Sequence, residues 1–276
     1  MNFEILKSHK TFGGHTNFCK HDSVSTKTSM NFSYFIPCDA EKVDSALIWL
    51  SGLTCNEENF ITKAGAQKAL KDTNTMVICP DTSPRGLNIP GSEDDYDFGT
   101  GASFYINAQT EAYKNNYQME DYILNDLVEL LKSNFNVSKY SLFGHSMGGH
   151  GALTLGLKHP KVFASLSAFS PIVNPAKCPW GQKAFAGYLG DDKASWLAHD
   201  ACELLKTTQH PKTILIDQGL DDNFYPEQLL TDNFIEAAQK NNQSVEVNKR
   251  KGFDHSYYFI STFVEDHVDF HLKHLG

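Results

Sequence analysis

The sequence predicts an α/β fold in which a mostly parallel, doubly wound sheet is flanked by helices, with active residues at its carboxyl edge. Three observations point there. From Ser45 onward, apolar strands alternate with helically spaced segments. The stretches Ser45–Leu50 and Thr75–Pro80 are nearly continuous apolar runs, as strands buried on both faces should be. Finally, Tyr140-Ser141-Leu142-Phe143-Gly144-His145-Ser146-Met147-Gly148-Gly149-His150-Gly151 reads as a strand, a G-x-S-x-G turn and a helix. At 276 residues the chain is expected to form one domain, residues 1–276, with loop and lid insertions.

Residues 30–37 alternate polar and apolar and end in Pro37, a half-buried strand. The preceding Gly13-Gly14-His15 reads as a turn, since no G-K-[ST] follows to make it a phosphate loop. After the strand at 45–50 comes the loop Ser51-Gly52-Leu53-Thr54-Cys55, then helical spacing over 59–71 and the strand at 75–80. Residues 81–116 show little periodicity, and loops that long often build an active-site wall. Their acidic cluster, Glu93, Asp94, Asp95 and Asp97, reads as a solvated loop because it lacks the tighter ligand spacing of a calcium site. No metal and no cofactor is expected.

Residues 117–135 form an amphipathic helix pattern, with Tyr122, Ile123, Leu127, Leu130 and Leu131 on one side. Beyond the elbow, 162–170 reads as a strand opening into a Pro/Gly/aromatic segment at 171–190, a candidate lid. Trp180 within it reads equally as a pocket or a core residue. A strand at 213–217, a helix at 227–241, a strand around 245–247, a turn at 252–256 and a helix through Leu272 complete the pattern.

The turn at Ser146 is the candidate nucleophile site. Glycines at 144 and 148 leave room for a strained turn that lifts the hydroxyl above the sheet and aims the Met147 N–H at a reacting carbonyl. The Leu53 N–H, on the strand-to-helix loop, is the candidate second oxyanion donor. Cys55 beside it reads as an inert packed thiol. Of twelve histidines, His255 is the candidate base, since a strand and Gly252 precede it and a helix follows. His145 and His150 sit too close to the serine in sequence to reach its hydroxyl from the far side. His199, His210, His267, His271 and His274 are expected at the surface. The acid should lie after the preceding strand, where Asp217, Asp221 and Asp222 compete; the G-x-x-D spacing from Gly219 favours Asp222, with Asp221 as the fallback.

Composition narrows the partners. Net charge is −9, which argues against a general grip on nucleic acid or anionic membrane, so an anionic ligand needs local cations. No run approaches the length of a membrane span, and the first residues lack the apolar stretch of a signal peptide. Six scattered cysteines (Cys19, Cys38, Cys55, Cys79, Cys178, Cys202) show no C-x-x-C pair. Reduced thiols and a cytoplasmic location are the expectation.

The motifs together resemble the S-formylglutathione hydrolases, the esterase D family of α/β hydrolases. The resemblance spans nearly the whole chain, through Ser51-Gly52-Leu53-Thr54-Cys55, Pro80-Asp81-Thr82-Ser83-Pro84-Arg85-Gly86, Asp97-Phe98-Gly99-Thr100-Gly101 and the elbow. It continues through Cys178-Pro179-Trp180-Gly181, Gly219-Leu220-Asp221-Asp222 and Asp254-His255-Ser256-Tyr257-Tyr258. It implies an α/β-hydrolase fold, a Ser146–His255–Asp222 triad, oxyanion donors at Leu53 and Met147, and cofactor-free hydrolysis of S-formylglutathione to glutathione and formate. Such enzymes commonly form dimers, so a homodimer is an expectation. Glutathione carries two carboxylates, and Arg85 and Lys183 are the candidate cations, with Trp180 as a pocket contact. The competing readings are a short-chain carboxylesterase, an acyltransferase on the same triad and a non-catalytic scaffold.

Overall fold

The computed structural model describes residues 1–37 and 39–276; Cys38 lies outside the described residues. Nine strands form one sheet in the order β1-β2-β3-β5-β4-β6-β7-β8-β9. They are β1 (Glu4–Thr11), β2 (Gly14–Asp22), β3 (Ser29–Ile36), β4 (Ser45–Leu50), β5 (Thr75–Pro80), β6 (Lys139–His145), β7 (Phe163–Phe169), β8 (Ile214–Gly219) and β9 (Val245–Arg250). The pairs from β1 to β3, and β3 with β5, are antiparallel, while β5, β4, β6, β7, β8 and β9 run parallel.

The helices are α1 (Glu58–Lys63), α2 (Ala66–Leu70), α3 (Met119–Asp121), α4 (Val128–Phe135), α5 (Met147–Lys158), α6 (Pro179–Leu189), α7 (Lys193–Trp196), α8 (Ala201–Leu204), α9 (Thr231–Lys240) and α10 (Tyr257–Leu275). A π-helical stretch, Tyr122–Leu127, joins α3 to α4, so one continuous helical run occupies the predicted span, starting at Met119. Among the described residues no helix is long and apolar enough to cross a membrane.

The central strand shows why the interior runs read as uninterrupted. Along β4, Ala46, Ile48 and Leu50 enter the core on one face with α5 and the α3–α4 run. Leu47 and Trp49 enter the core on the other, with α1, α2 and α10. Successive side chains point to opposite faces, and here both faces are covered by helices.

Several elements differ from the sequence reading. Gly13 turns a hairpin with Phe12, but Gly14 and His15 already belong to β2, paired with β1. The helical pattern over 59–71 is two helices, interrupted at Gly65, which is left-handed at φ 78°. The segment 171–190 contains the helix α6, with Pro179 at its first position and the Cys178 sulfur accepting the Gly181 N–H. Proline fits there because that N–H would have no intrahelical partner.

Two of the three histidines on the C-terminal helix are not at the surface, while His274 is partly exposed. His267 and His271 are fully buried against β7, where His271 meets Ser165 and Ser167 at 2.7 Å each and His267 meets Ser167 at 2.8 Å. His199 and His210 are buried too, the latter donating its Nε2–H to the Phe163 carbonyl at 2.9 Å. Residues 264, 267, 268, 271 and 275 share one helical face, so these histidines sit in the stripe that packs on the sheet.

Candidate active site

The chain order places β5 on one side of β4 and β6 on the other, and a crevice opens where the order reverses. Leu50 pairs with Gly144 at the ends of β4 and β6, which sets the loop Ser51–Cys55 beside the elbow. Ser146 itself has φ 58° and ψ −118°, a conformation side chains rarely adopt. Its backbone is held from both sides. Its N–H donates to Phe169 O at 3.0 Å, and its carbonyl accepts from His150 and Ile172 at 2.9 and 3.2 Å. A Cβ on Gly148 would overlap the Leu50 carbonyl, and one on Gly144 would overlap Gly148, so both positions exclude any side chain.

Met147 opens α5, where the first N–H groups of a helix lack intrahelical acceptors and carry the positive end of its dipole. Opposite it, the loop bearing Leu53 is pinned at several points. Tyr105 donates its hydroxyl to Ser51 O at 2.9 Å, and Trp49 Nε1–H donates to Ser51 Oγ at 2.9 Å. Thr54 N–H reaches Gly101 O at 3.0 Å, and the Cys55 carbonyl accepts from Thr82 Oγ1 at 2.5 Å and Arg85 Nη2 at 3.1 Å. Among the described residues no backbone carbonyl takes the Leu53 N–H. Burial raises the Cys55 thiol, consistent with the inert role read from the sequence.

Of the three acidic candidates, Asp222 meets the histidine. Its buried Oδ2 lies 2.5 Å from His255 Nδ1, and its Oδ1 accepts the Phe224 N–H at 2.9 Å. Asp221 is exposed and takes the Gly252 N–H at 3.3 Å. Asp217 is buried below the site in a different network, with Arg250 Nε at 2.8 Å and Asn248 at 2.9 Å. Burial pushes its carboxyl up, but the partnership with His267 and Arg250 outweighs that and leaves it below the ordinary range.

Ser146 and His255 line one cavity of about 870 Å³, together with Leu53, Trp180, Tyr96 and Lys63. No hydrogen bond joins the Ser146 hydroxyl to His255 among the described contacts; in unliganded sites such bonds commonly close only with substrate in place. Phe224 packs edge-on against His255 at 5.1 Å and tilted by 50° against Trp180 at 4.8 Å, so Trp180 is both buried and a wall of the cavity. Arg85 and Lys183 do not line it. Arg85 grips Asp81 through Nε at 2.7 Å and Nη2 at 2.9 Å, and Lys183 holds Asp95 and Asp97 at 2.9 and 2.5 Å. The acidic loop is thus tied down by a lysine. Among the described residues no group of three or more His, Cys, Asp or Glu side chains is arranged to hold a metal ion.

Two features escaped sequence reading. His145 lines the cavity against His255, and Lys63 reaches it from the end of α1. His145 adjoins Ser146 in sequence yet faces the loop after β9, and Lys63 depends on how α1 packs near Tyr257, which no local pattern encodes.

Comparison with known proteins agrees with this architecture. The model of the family described as "Putative esterase" matches residues 23–270. The chain is 49% identical over 281 residues to an S-formylglutathione hydrolase of Rattus norvegicus, covering 100% of both chains. It is 50% identical over 276 residues to one of Arabidopsis thaliana, covering 98% of this chain and 97% of that one. A solved S-formylglutathione hydrolase from Agrobacterium tumefaciens superposes with a TM-score of 0.96 at 38% identity, over 100% of each chain. The chain belongs to the S-formylglutathione hydrolase family of α/β-hydrolase-fold esterases.

Proposed function

We propose that this protein hydrolyses S-formylglutathione to glutathione and formate through an acyl-enzyme on Ser146. The observation that carries the reading is the 2.5 Å contact between His255 and Asp222 on the wall of the cavity that Ser146 also lines. In a chain half identical to S-formylglutathione hydrolases, that arrangement supports a Ser-His-Asp mechanism.

His255 Nε2 takes the Ser146 proton as the oxygen attacks the formyl carbon. The carbonyl electron pair moves onto oxygen, where the Leu53 and Met147 N–H groups receive it, each donor typically supplying about 3 kcal/mol in the transition state. Collapse breaks the C–S bond. The leaving thiol has an ordinary pKa near ~8.5, so its protonation by His255 is less demanding than for an amide. Water then gives its proton to His255, attacks the formyl-Ser146 ester and releases formate, returning the proton to Ser146. Asp222 fixes the histidine tautomer throughout and stabilises the imidazolium.

The formyl group is one carbon, whereas the cavity measures about 870 Å³, which suits a substrate whose bulk lies on the thiol side. This favours the thioester of a peptide-sized thiol over the short O-acyl esters of a general carboxylesterase. The five described cysteines are free thiols, which supports a reducing, cytoplasmic setting, and the family resemblance supports a homodimer.

The test is turnover of S-formylglutathione, S-acetylglutathione and 4-nitrophenyl acetate by wild type and Ser146→Ala. A formyl-thioester preference that vanishes in the variant is expected. Fast oxygen-ester turnover with negligible thioester activity would contradict the substrate assignment.

A further inference from the structure

Among the described residues, one lysine or arginine, Lys63, lines the cavity, and no aspartate or glutamate does. Lys63 ends α1, one turn beyond Asn59, which lines the same wall. Lys63 is solvent-exposed, and its Nζ sits 5.4 Å from the centre of the Tyr257 ring, a cation–π contact that places the ammonium at the cavity mouth. Its charge is felt at the Cys55 thiol on the oxyanion loop, where it opposes the effect of burial.

Lys63 is also unspent. Arg85 and Lys183, the cations expected from sequence, are committed to carboxylates outside the cavity. Among the described residues Lys63 makes no ion pair. The chain carries a net charge of −9, so its overall field repels anions, and an anionic ligand entering this cavity meets one compensating charge. An uncharged acyl group has no use for it. The volume and the charge therefore both belong to the leaving-group side.

We propose that Lys63, with Asn59 beside it, is a carboxylate subsite that makes the enzyme prefer anionic thiol leaving groups over neutral ones. Lys63 is a specificity-determining residue; it takes no part in the bond changes at Ser146. The inference rests on the reading of this cavity as the S-formylglutathione site.

The experiment compares wild type, Lys63→Gln and Lys63→Arg on S-formylglutathione and on the neutral thioester S-formyl-N-acetylcysteamine. Inhibition of 4-nitrophenyl acetate hydrolysis by glutathione is measured alongside. In Lys63→Gln, KM for S-formylglutathione rises about tenfold while kcat holds within about twofold, the scale of one hydrogen bond to a charged group. The neutral thioester is unaffected, the inhibition constant of glutathione rises in step with KM, and Lys63→Arg retains most of the wild-type preference. A glutathione inhibition constant unchanged in Lys63→Gln, or an equal loss on both thioesters, overturns the subsite. If wild type fails to turn over S-formylglutathione yet glutathione still inhibits through Lys63, the substrate assignment falls and the subsite stands.

Discussion

The imidazole rings of His145 and His255 lie 4.2 Å apart and tilted by 44°, with His145 Nε2 buried and without a partner. The residue before the elbow serine therefore packs on the proposed base. Burial first, and then the charge of His255, push His145 well below the ordinary histidine range. With His255 as the proposed base, a neutral His145 would let the imidazolium form without a second positive charge beside it.

That assignment predicts the order of proton uptake. A lowered pKa means His145 stays neutral as pH falls, so the acid limb of kcat/KM should follow loss of one proton-accepting group, with slope one in a logarithmic plot. The His145 ring resonances should not shift between about pH 5 and 8. A limb of slope two, or titration of His145 within that range, would contradict it.

Asp222→Asn and Asp221→Asn separate the two adjacent carboxylates. The Asp222 variant loses the acceptor that fixes the His255 tautomer, and kcat should fall on the order of 10⁴-fold with the fold intact. Asp221 is exposed and holds only the Gly252 amide, so its variant should remain within about threefold of wild type. Equal losses would remove the distinction drawn from the 2.5 Å contact.

Arg85→Ala distinguishes a positioning role from substrate binding. Arg85 joins Asp81 to the Cys55 carbonyl, two residues beyond Leu53, and does not line the cavity. Loosening that loop should lower kcat about tenfold and leave KM nearly unchanged, because oxyanion donors act in the transition state. Arg85→Lys should recover part of it, lacking the fork that grips both oxygens of Asp81. A rise in KM at constant kcat would return Arg85 to the substrate-binding role.

Stability should fall as pH drops below 6.5. Burial, followed by the charges of His199 and Lys158, pushes His150 down to about 3. Burial and the charge of Lys158 push His199 down to about 4 despite Glu120. His145 and His271 are also held well below the usual value. A histidine with a depressed folded pKa takes up protons only on unfolding. Its stabilisation is complete above the unfolded pKa and declines below it, by up to about 1.4 kcal/mol per pH unit for each group. Thermal denaturation at pH 7, 6 and 5 should show a progressive fall in Tm, and a constant Tm would contradict neutral burial of these rings.

Sequence made the elbow legible because its requirements are local. Gly144 and Gly148 are fixed by steric overlap with backbone a few residues away or on the paired strand, and β4 and β5 announce themselves by burial on both faces. The spacing from Gly219 favours Asp222, the carboxylate that meets His255, but the choice against Asp221 depends on how the turn after β8 clasps the turn after β9, where Asp221 N–H meets Phe253 O. Histidine is a polar residue that by itself suggests a surface position, so only the spacing of His267 and His271 with Val264 and Val268 carries the signal of a sheet-facing stripe. Lys63 escaped for a different reason. Which of 24 lysines and arginines reaches the cavity is decided by the packing of α1 near Tyr257, a contact between distant parts of the chain.

The measurement closest to the central claim is the intact mass of the protein after reaction with a fluorophosphonate, for wild type and a folded Ser146→Ala variant, with peptide mapping and residual S-formylglutathione turnover. One adduct per chain on Ser146, with activity lost in proportion and neither adduct nor turnover in the variant, is the predicted result. Labelling at another residue, or full thioester hydrolysis by Ser146→Ala, would contradict the assignment of Ser146 as the nucleophile.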